Sequence, residues 1–542
     1  MKNFAVLTIL IGLLFGILLG SAPLEAPDSA RYAEIPREMV VTHDYLTPHL
    51  NGVKYFEKPP LFYWLQAGAI KLLGTSELAV SVVNAGLALL CCLIVYYIGR
   101  RFYDHETGFW AAIILATSGV FFALTRIITL DMALTTFLTA GFALFLCGQQ
   151  EVQPNKRWQY FSAMYVAFAA AVMTKGLVGI ILPGLIILTW IAIFRRWCDL
   201  KKYCIFRGTL IFLALTVPWH LLVQLKNPEF ANFYFIEQHF LRYLTPYAGR
   251  EEAWWFFGAV VLLGLFPWTC FVGQSLGYHL RCVFQRNRVY APTVFFLFWV
   301  MIILVFYSFS YSKLIPYVLP AFPPLALLIG NYLARHLALT KSRGIYWGLM
   351  IFSVLGVVLG VGSMVVGAKL VNLPQTSFYV LAGLAVLSGA VTFLATRRNN
   401  YAGLWALSLT FMLVLTSLNP LVTVANNHAL KPLVAILQAK LTAQDEVIGY
   451  NNYYQDVPFY LRRRITVVNA FGELSFGVEH QPETKAWMID TETFLKRWLG
   501  TQRMFMIADA GDFASLTKNE KMVFYPIAEY AGQVLVSNQK NN

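Results

Sequence analysis

The chain has 542 residues, 58% of them apolar and only 13% charged, with a formal net charge of +14. A soluble domain carries about a quarter charged residues, so the composition excludes an ordinary soluble enzyme and describes a polytopic membrane protein. The positive charge is spread through short loops between apolar runs, which excludes a nucleic-acid-binding patch and is the topology signal of membrane proteins.

Apolar runs near the spanning length of about twenty residues fall at 4–22, 76–98, 107–125, 131–148, 159–174, 176–194, 208–224, 254–275, 292–309, 318–334, 345–367, 377–396 and 402–425. They predict about thirteen transmembrane helices. The first run reads as an uncleaved anchor rather than a signal peptide. After it comes a polar island, Pro27-Asp28-Ser29-Ala30-Arg31-Tyr32-Ala33-Glu34, and later Tyr55-Phe56-Glu57-Lys58-Pro59-Pro60. Residues 29–41 place Tyr32, Ile35 and Met39 on one side and Arg31, Glu34 and Glu38 elsewhere, which predicts a short helix lying on the membrane surface. Leu61–Leu73 is apolar and aromatic but too short to span, so it is predicted to be interfacial or re-entrant.

Arg100-Arg101, Lys156-Arg157, Arg195-Arg196 with Lys201, Lys202 and Arg207, Arg281 with Arg286 and Arg288, Arg335 with Lys341 and Arg343, and Arg397-Arg398 occupy alternate loops. The positive-inside rule puts those loops and the N-terminus in the cytoplasm. Segments 23–75, 223–253, 310–317 and 368–376 then face outward, with the C-terminal tail. From 426 the pattern changes. Strands are predicted at 446–450, 464–469, 504–508 and 533–536, and helices at 430–441 and 492–499, a small α/β domain outside the membrane. The chain thus divides into a transmembrane part, 1–425, and a C-terminal domain, 426–542. The seven cysteines lack metal-site spacing and read as buried structural thiols. There is no Gly-rich phosphate loop and no internal repeat, so no nucleotide or redox cofactor is expected.

Ionisable groups recur on the outer side at the membrane edge: Asp28, Arg31, Glu57, Lys58, Asp131, Lys175, His239, Arg242, Lys313 and Tyr317. Converging, they would form one polar cavity. Its cations suit a phosphate, which Arg grips through two parallel hydrogen bonds and Lys as a point charge. A carboxylate beside them can act as a general base or stabilise positive charge on a sugar. Outer loops are normally poor in Lys and Arg, yet these hold Arg31, Lys54, Lys58, Arg126, Lys175, Arg242, Arg250 and Lys313; an anionic ligand would explain the exception.

Each residue also has a plainer role. Asp28 and Asp131 can cap the helices that start there. Arg31 with Glu34 or Glu38 can form surface ion pairs. Lys58 and Lys313 can snorkel to head groups, and Lys175 can anchor a span end. Tyr317 can be an interface aromatic. Glu57 and His239 belong to residue types that bind zinc, but a lone histidine is commonly just hydrogen-bonded.

The run Asp28-x-x-Arg31-Tyr32-Ala33-Glu34 with Phe56-Glu57-Lys58-Pro59 resembles the first outer loop of the bacterial lipid A 4-amino-4-deoxy-L-arabinose transferases, relatives of the protein O-mannosyltransferases within the C-type glycosyltransferases. Leu130-Asp131, Met173-Thr174-Lys175-Gly176, His239-x-x-Arg242-Tyr243 and Ser312-Lys313-Leu314-x-x-Tyr317 match the family in order. The resemblance implies the C-type glycosyltransferase fold and transfer of a sugar from undecaprenyl phosphate to a lipid A phosphate at the periplasmic face of the bacterial inner membrane. By position it implies Asp28 and Asp131 as cavity acids, and Arg31, Lys58, Lys175 and Tyr317 near the lipid phosphate. It implies Glu57 and His239 as a pair holding a divalent ion, zinc. Some relatives carry a more compact Glu-His pair where this chain has Glu237-Gln238-His239, which leaves either Glu237 or His239 facing the cavity.

The reading is a monomeric glycosyltransferase with partners limited to its lipid-linked substrates and membrane lipids, and no nucleic acid. Its enzymatic rival moves another sugar, such as mannose, to a protein hydroxyl or other glycolipid. A transporter would carry internal repeats and a site near the bilayer midplane. A lipid-binding scaffold would tolerate loss of Asp28.

Overall fold

A computed structural model of the chain describes residues 2–285, 290–337, 342–370, 375–425, 429–518 and 522–540. Arg286, Arg288, Lys341 and residues 371–374 of the fourth outward segment lie outside the described residues. Two compact units form. One is helical and comprises Met1–Leu19, Ser81–Lys226 and Ala231–Val424; the other, a mixed unit, comprises Gly20–Val80, Asn227–Phe230 and Ala425–Asn542. The C-terminal stretch of the mixed unit starts at Ala425. The first outward segment belongs to the same unit as the C-terminal residues.

In the helical unit every predicted apolar run becomes a helix or a broken pair of helices. Eight described helices are long and apolar enough to cross a membrane, or ten if each bent pair counts as one crossing, against about thirteen expected from run length. Lys2–Gly16 and Val178–Ile193 are helices of 15 and 16 residues. The run 107–125 breaks into His105–Ala116 and Gly119–Arg126, bent by 59°, and 254–275 breaks into Phe256–Gly264 and Trp268–Phe284, bent by 101°. The two breaks satisfy each other. Gly119 N–H donates to Phe266 O at 3.2 Å, and Trp268 Nε1 donates to Thr117 Oγ1 at 2.8 Å. Thr117 and Ser118 in turn donate to Ile113 O and Ile114 O. Non-helical backbone at membrane depth is tolerated where neighbours take up the freed groups in this way.

In the mixed unit Asp28–Thr42 and Leu61–Leu73 form the two helices expected of the first outward segment. Between them lies a hairpin, β1 (His49–Leu50) and β2 (Val53–Lys54), turned at Asn51 and Gly52, both at positive φ. Asn-Gly is the dipeptide such a two-residue turn favours, a signal that stands in the sequence as Asn51-Gly52. The C-terminal part forms a six-stranded mixed sheet from β3 (Glu446–Tyr450), β4 (Thr466–Val468), β5 (Met488–Ile489), β6 (Met504–Asp509), β7 (Tyr525–Tyr530) and β8 (Gln533–Ser537), in the order β5-β4-β3-β6-β8-β7. Neighbouring strands from β5 to β6 are parallel, while β8 is antiparallel to β6 and to β7. Four strands and both helices match the expectation; β5 and β7 are additions.

The helix over 28–42 corrects its own expectation. It does not present its charges to a surface: Arg31, Glu34, Arg37 and Glu38 are all buried. Arg37 donates to Glu34 through two bonds of 2.5 and 2.6 Å, and Glu38 accepts the Gly52 N–H at 3.0 Å. The hairpin tip docks on the sheet, where Asn51 Nδ2 donates to Ile465 O, Asn51 Oδ1 accepts from Ile465 N–H, and Asn51 O accepts from Trp487 Nε1, each at 2.9 Å. Charges that read as a surface face in isolation are covered and paired once the C-terminal residues close over them.

Candidate active site

The candidate residues divide between the units, with Asp28, Arg31, Glu57 and Lys58 in the mixed unit and the other six in the helical unit.

In the mixed unit Asp28 opens its helix but does not cap it; the capping position is Pro27, with no side-chain cap bond. Asp28 Oδ1 instead accepts from Arg31 Nη2, one turn on, and Arg31 Nη1 donates to Glu473 Oε2. Gln455 Nε2 donates to the other oxygen of Glu473 at 2.9 Å. The Arg31 guanidinium lies 5.1 Å from the Tyr32 ring centre and 6.0 Å from that of Tyr55. Burial works against its charge, yet Glu473, Tyr55, Tyr32 and Asp28 together hold its pKa well above the ordinary value. Burial pushes the Tyr55 phenol up, with Arg31 partly offsetting it and Glu57 adding to it. Glu57 and Lys58 are half-buried. The Asp28 side chain keeps 46% of its exposure, against 10% for Arg31, so the carboxylate is both oriented by a fixed cation and reachable. Sequence reading did not find Glu473: one acid in a loop 442 residues from Arg31 carries no local signal.

In the helical unit Asp131 stands in the first turn of Leu130–Gln150, again without capping it. Its Oδ1 accepts from Lys175 Nζ at the end of Pro154–Lys175, with both side chains about nine-tenths covered. The same ammonium lies 4.4 Å from the centre of the Tyr317 ring, which packs on Tyr307. The ammonium is thus engaged by a carboxylate on one side and an aromatic face on the other. Lys313 does not snorkel: its Nζ donates to Glu252 O at 2.8 Å. Arg242 donates to Gln238 Oε1 at 2.9 Å. The anionic-ligand argument therefore narrows. Arg126 donates to Leu14 O and Ile17 O at the end of the first helix, and Lys54 pairs with Glu229 at 3.2 Å.

His239 is the residue on which the metal expectation turns. Its Nδ1 is 2.5 Å from Tyr234 O, and its Nε2 accepts the Leu177 N–H at 3.2 Å. The ring is thus the Nδ1–H tautomer with its free lone pair spent on a turn. That turn contains Gly176, at φ +87°, where a Cβ would meet His239 Nε2 at 2.1 Å. Glu237, the alternative, accepts from the Tyr247 hydroxyl at 3.1 Å. Among the described residues no group of three or more His, Cys, Asp or Glu is placed to hold a metal ion. As arranged, the imidazole suits backbone support, and an ion would have to displace the Leu177 N–H. The cysteines fit their expectation in part: Cys91, Cys92, Cys147 and Cys282 are buried, Cys204 and Cys270 half-buried and Cys198 exposed.

Residues 26–234 match the family Dolichyl-phosphate-mannose-protein mannosyltransferase, and residues 433–538 match the Aminoarabinose transferase C-terminal domain. The chain is 32% identical over 333 residues to an undecaprenyl phosphate-α-4-amino-4-deoxy-L-arabinose arabinosyl transferase of Proteus mirabilis (strain HI4320), covering 60% of this chain and 59% of that one. It is 28% identical over 393 residues to the protein of that name from Pectobacterium atrosepticum, covering 72% and 69%. The aligned stretch spans about three-fifths of the length of the first of these relatives. The crystal structure of ArnT from Cupriavidus metallidurans bound to undecaprenyl phosphate superposes with a TM-score of 0.89 at 26% identity, over 99% of this chain and 98% of that one.

Proposed function

Because the chain belongs to the aminoarabinose transferase family, related to the dolichyl-phosphate-mannose-protein mannosyltransferases, we propose that it is a polyprenyl-phosphate-dependent glycosyltransferase. Its donor is undecaprenyl phosphate carrying 4-amino-4-deoxy-L-arabinose, and its acceptor is a lipid A phosphate. The observation that carries this reading is the pair of carboxylate–cation couples, Asp28–Arg31 and Asp131–Lys175, one in each unit.

The chemistry is a displacement at the anomeric carbon. An acceptor oxygen lone pair forms the new bond to C1 while the bond from C1 to the donor phosphate oxygen breaks. The electron pair leaves with the lipid monophosphate. Inversion at C1 follows from a single displacement. The leaving group needs charge stabilisation, which Lys175 offers as a point charge and Arg31 and Lys58 can reinforce. A phosphate acceptor arrives ionised, so Asp28 then orients the acceptor or the sugar amine. A hydroxyl acceptor would surrender its proton to Asp28 as general base. The alternate basic loops support a periplasmic active face and a periplasmic C-terminal sheet at the inner membrane. No step is assigned to a metal ion.

The test is transfer by purified protein from the undecaprenyl-linked sugar to lipid A, with Asp28→Asn beside the wild type. The reading expects the sugar on a lipid A phosphate and less of it in the variant. Transfer only to a protein hydroxyl would support the mannosyltransferase-like alternative.

A further inference from the structure

The sheet of the mixed unit carries a feature that the transfer chemistry does not use. Strands β3, β4, β5 and β6 are parallel, and the chain lays β4 and then β5 on one side of β3 before crossing to place β6 on the other. The boundary between β3 and β6 is thus where strand order reverses. In open α/β sheets such a switch point, at the carboxyl ends of the strands, is where connecting loops diverge and leave a crevice for a ligand.

A cavity borders this point on its β3 side. Of about 310 Å³, it is lined by residues 452–455, which follow the carboxyl end of β3, together with Ala531 of the β7–β8 turn, Gln533 at the start of β8, opposite Asp509 at the end of β6, and Ala26, Pro27 and Leu430. The loop is built to stand open. Asn451 takes a left-handed conformation (φ 51°), as Asn tolerates, and its side chain donates to Asp512 Oδ1 at 3.2 Å, just beyond β6. On the far wall the Tyr454 hydroxyl donates to Gln533 Oε1.

The lining holds no ionisable group apart from the two tyrosines. With no cation it does not suit a phosphate. It offers the side-chain amides of Asn452, Gln455 and Gln533, which keep donor and acceptor capacity beyond the bonds of Gln455 to Glu473 and of Gln533 to Tyr454 and Asp509, beside Pro27 and the largely buried Tyr453 and Tyr454. Amides that donate and accept at once match an uncharged ring bearing hydroxyl or acylamido groups. The volume lies at the lower end for a ligand pocket, about 300 Å³, which allows one ring.

We propose that this crevice binds a neutral hexopyranose ring of the acceptor, with its hydroxyl and acylamido groups on Asn452, Gln455 and Gln533. The naming of the acceptor rests on the proposed transferase reading; the sugar site itself does not. The crevice also touches the reactive end of the unit. Gln455 donates to Glu473, Glu473 accepts from Arg31, and Arg31 holds Asp28, while Pro27 of the lining precedes Asp28 in the chain.

The test uses the full chain in detergent micelles and the methyl glycoside of N-acetylglucosamine as probe, followed by saturation-transfer NMR, with inorganic phosphate as competitor. Asn452 is exposed and Gln533 half-exposed; because Gln533→Ala also frees the buried Tyr454 hydroxyl, the double variant Asn452→Ala with Gln533→Ala is read beside Tyr454→Phe, which loses the same bond and keeps both amides. The expected result is saturable binding, weakened about tenfold or more in the double variant through loss of paired amides, and unaffected by phosphate. Equal signal from wild type and double variant, or displacement by phosphate, would overturn the proposal. A protein that binds the sugar but transfers nothing would fail the transferase reading alone.

Discussion

Arg31 and Glu473, 442 residues apart in the chain, meet as a covered ion pair within the mixed unit. The pair ties the helix that begins at Asp28 to the C-terminal sheet domain, and it fixes the cation that orients the Asp28 carboxylate. Removing one partner of a buried pair leaves the other charge uncompensated, at a cost of about 3 kcal/mol. Glu473→Ala is therefore expected to lower the thermal midpoint clearly, by differential scanning fluorimetry in detergent, and to reduce transfer. An unchanged midpoint would show that Asp28 alone suffices to hold Arg31.

Asp28 itself should behave in the opposite way. Its side chain is nearly half exposed, and an exposed pair contributes about 0–1 kcal/mol. Asp28→Asn is expected to keep insertion and melting near wild type while transfer to a hydroxyl-bearing acceptor falls about 100-fold or more, the scale of a lost general base. With a phosphate acceptor the fall should be smaller, since no proton has to be removed. Equal losses with both acceptors would assign Asp28 to orientation only.

Lys175 is expected to act on the donor. Lys175→Ala removes the cation between Asp131 and Tyr317 and should raise the KM for the lipid-linked sugar and lower kcat. Asp131→Asn leaves the ammonium without its carboxylate partner, and the same assay should show a milder donor defect. If both variants bind donor as the wild type does, the Asp131–Lys175 pair is a structural tie between two helices.

The buried acids of the mixed unit set a pH dependence with a definite sign. Burial, with the neighbouring Glu34 charge adding to it, pushes the Glu38 carboxyl from its ordinary 4.5 up to about 8. Burial likewise raises Asp456 to about 7. The folded state then holds more protons than the unfolded chain across this window, so stability is greatest at the acid end and falls as pH rises from about 4.5 to 8. Melting curves from pH 5 to 8.5 should show the decline, and Glu38→Gln should flatten it. An equally steep decline in that variant would move its origin elsewhere.

Gly176 supports His239 by absence of a side chain. At φ +87° a side chain is strained, at about 1–3 kcal/mol, and a Cβ would strike His239 Nε2. Gly176→Ala should destabilise the protein, and His239→Ala should relieve the contact but not the strain. Elemental analysis of the wild type beside His239→Ala settles the metal question: zinc present in one and lost in the other would mean that Nε2 exchanges the Leu177 N–H for an ion.

Much of this arrangement was legible in the sequence where the signal is local. Asp28 and Arg31 are one helical turn apart, the apolar runs mark their helices, and β3 and β6 declare themselves by β-branched and apolar residues. What escaped depends on distant partners. Arg31, Glu34 and Glu38 read as the polar side of a surface helix because the groups that face them, Glu473 and Tyr453, come from the far end of the chain. The breaks at Thr117 and Pro267 fall inside continuous apolar runs, and only their mutual hydrogen bonds reveal them. Of the thirteen expected spans, eight to ten meet the length and hydropathy of a full crossing among the described residues, and two further runs form helices of 15 and 16 residues.

The most direct test is mass spectrometry of lipid A from cells that carry the gene, cells that lack it, and cells with Asp28→Asn at matched membrane levels. The account predicts an added aminopentose on a lipid A phosphate in the first, none in the second and a clearly reduced amount in the third. Identical spectra from all three would contradict it.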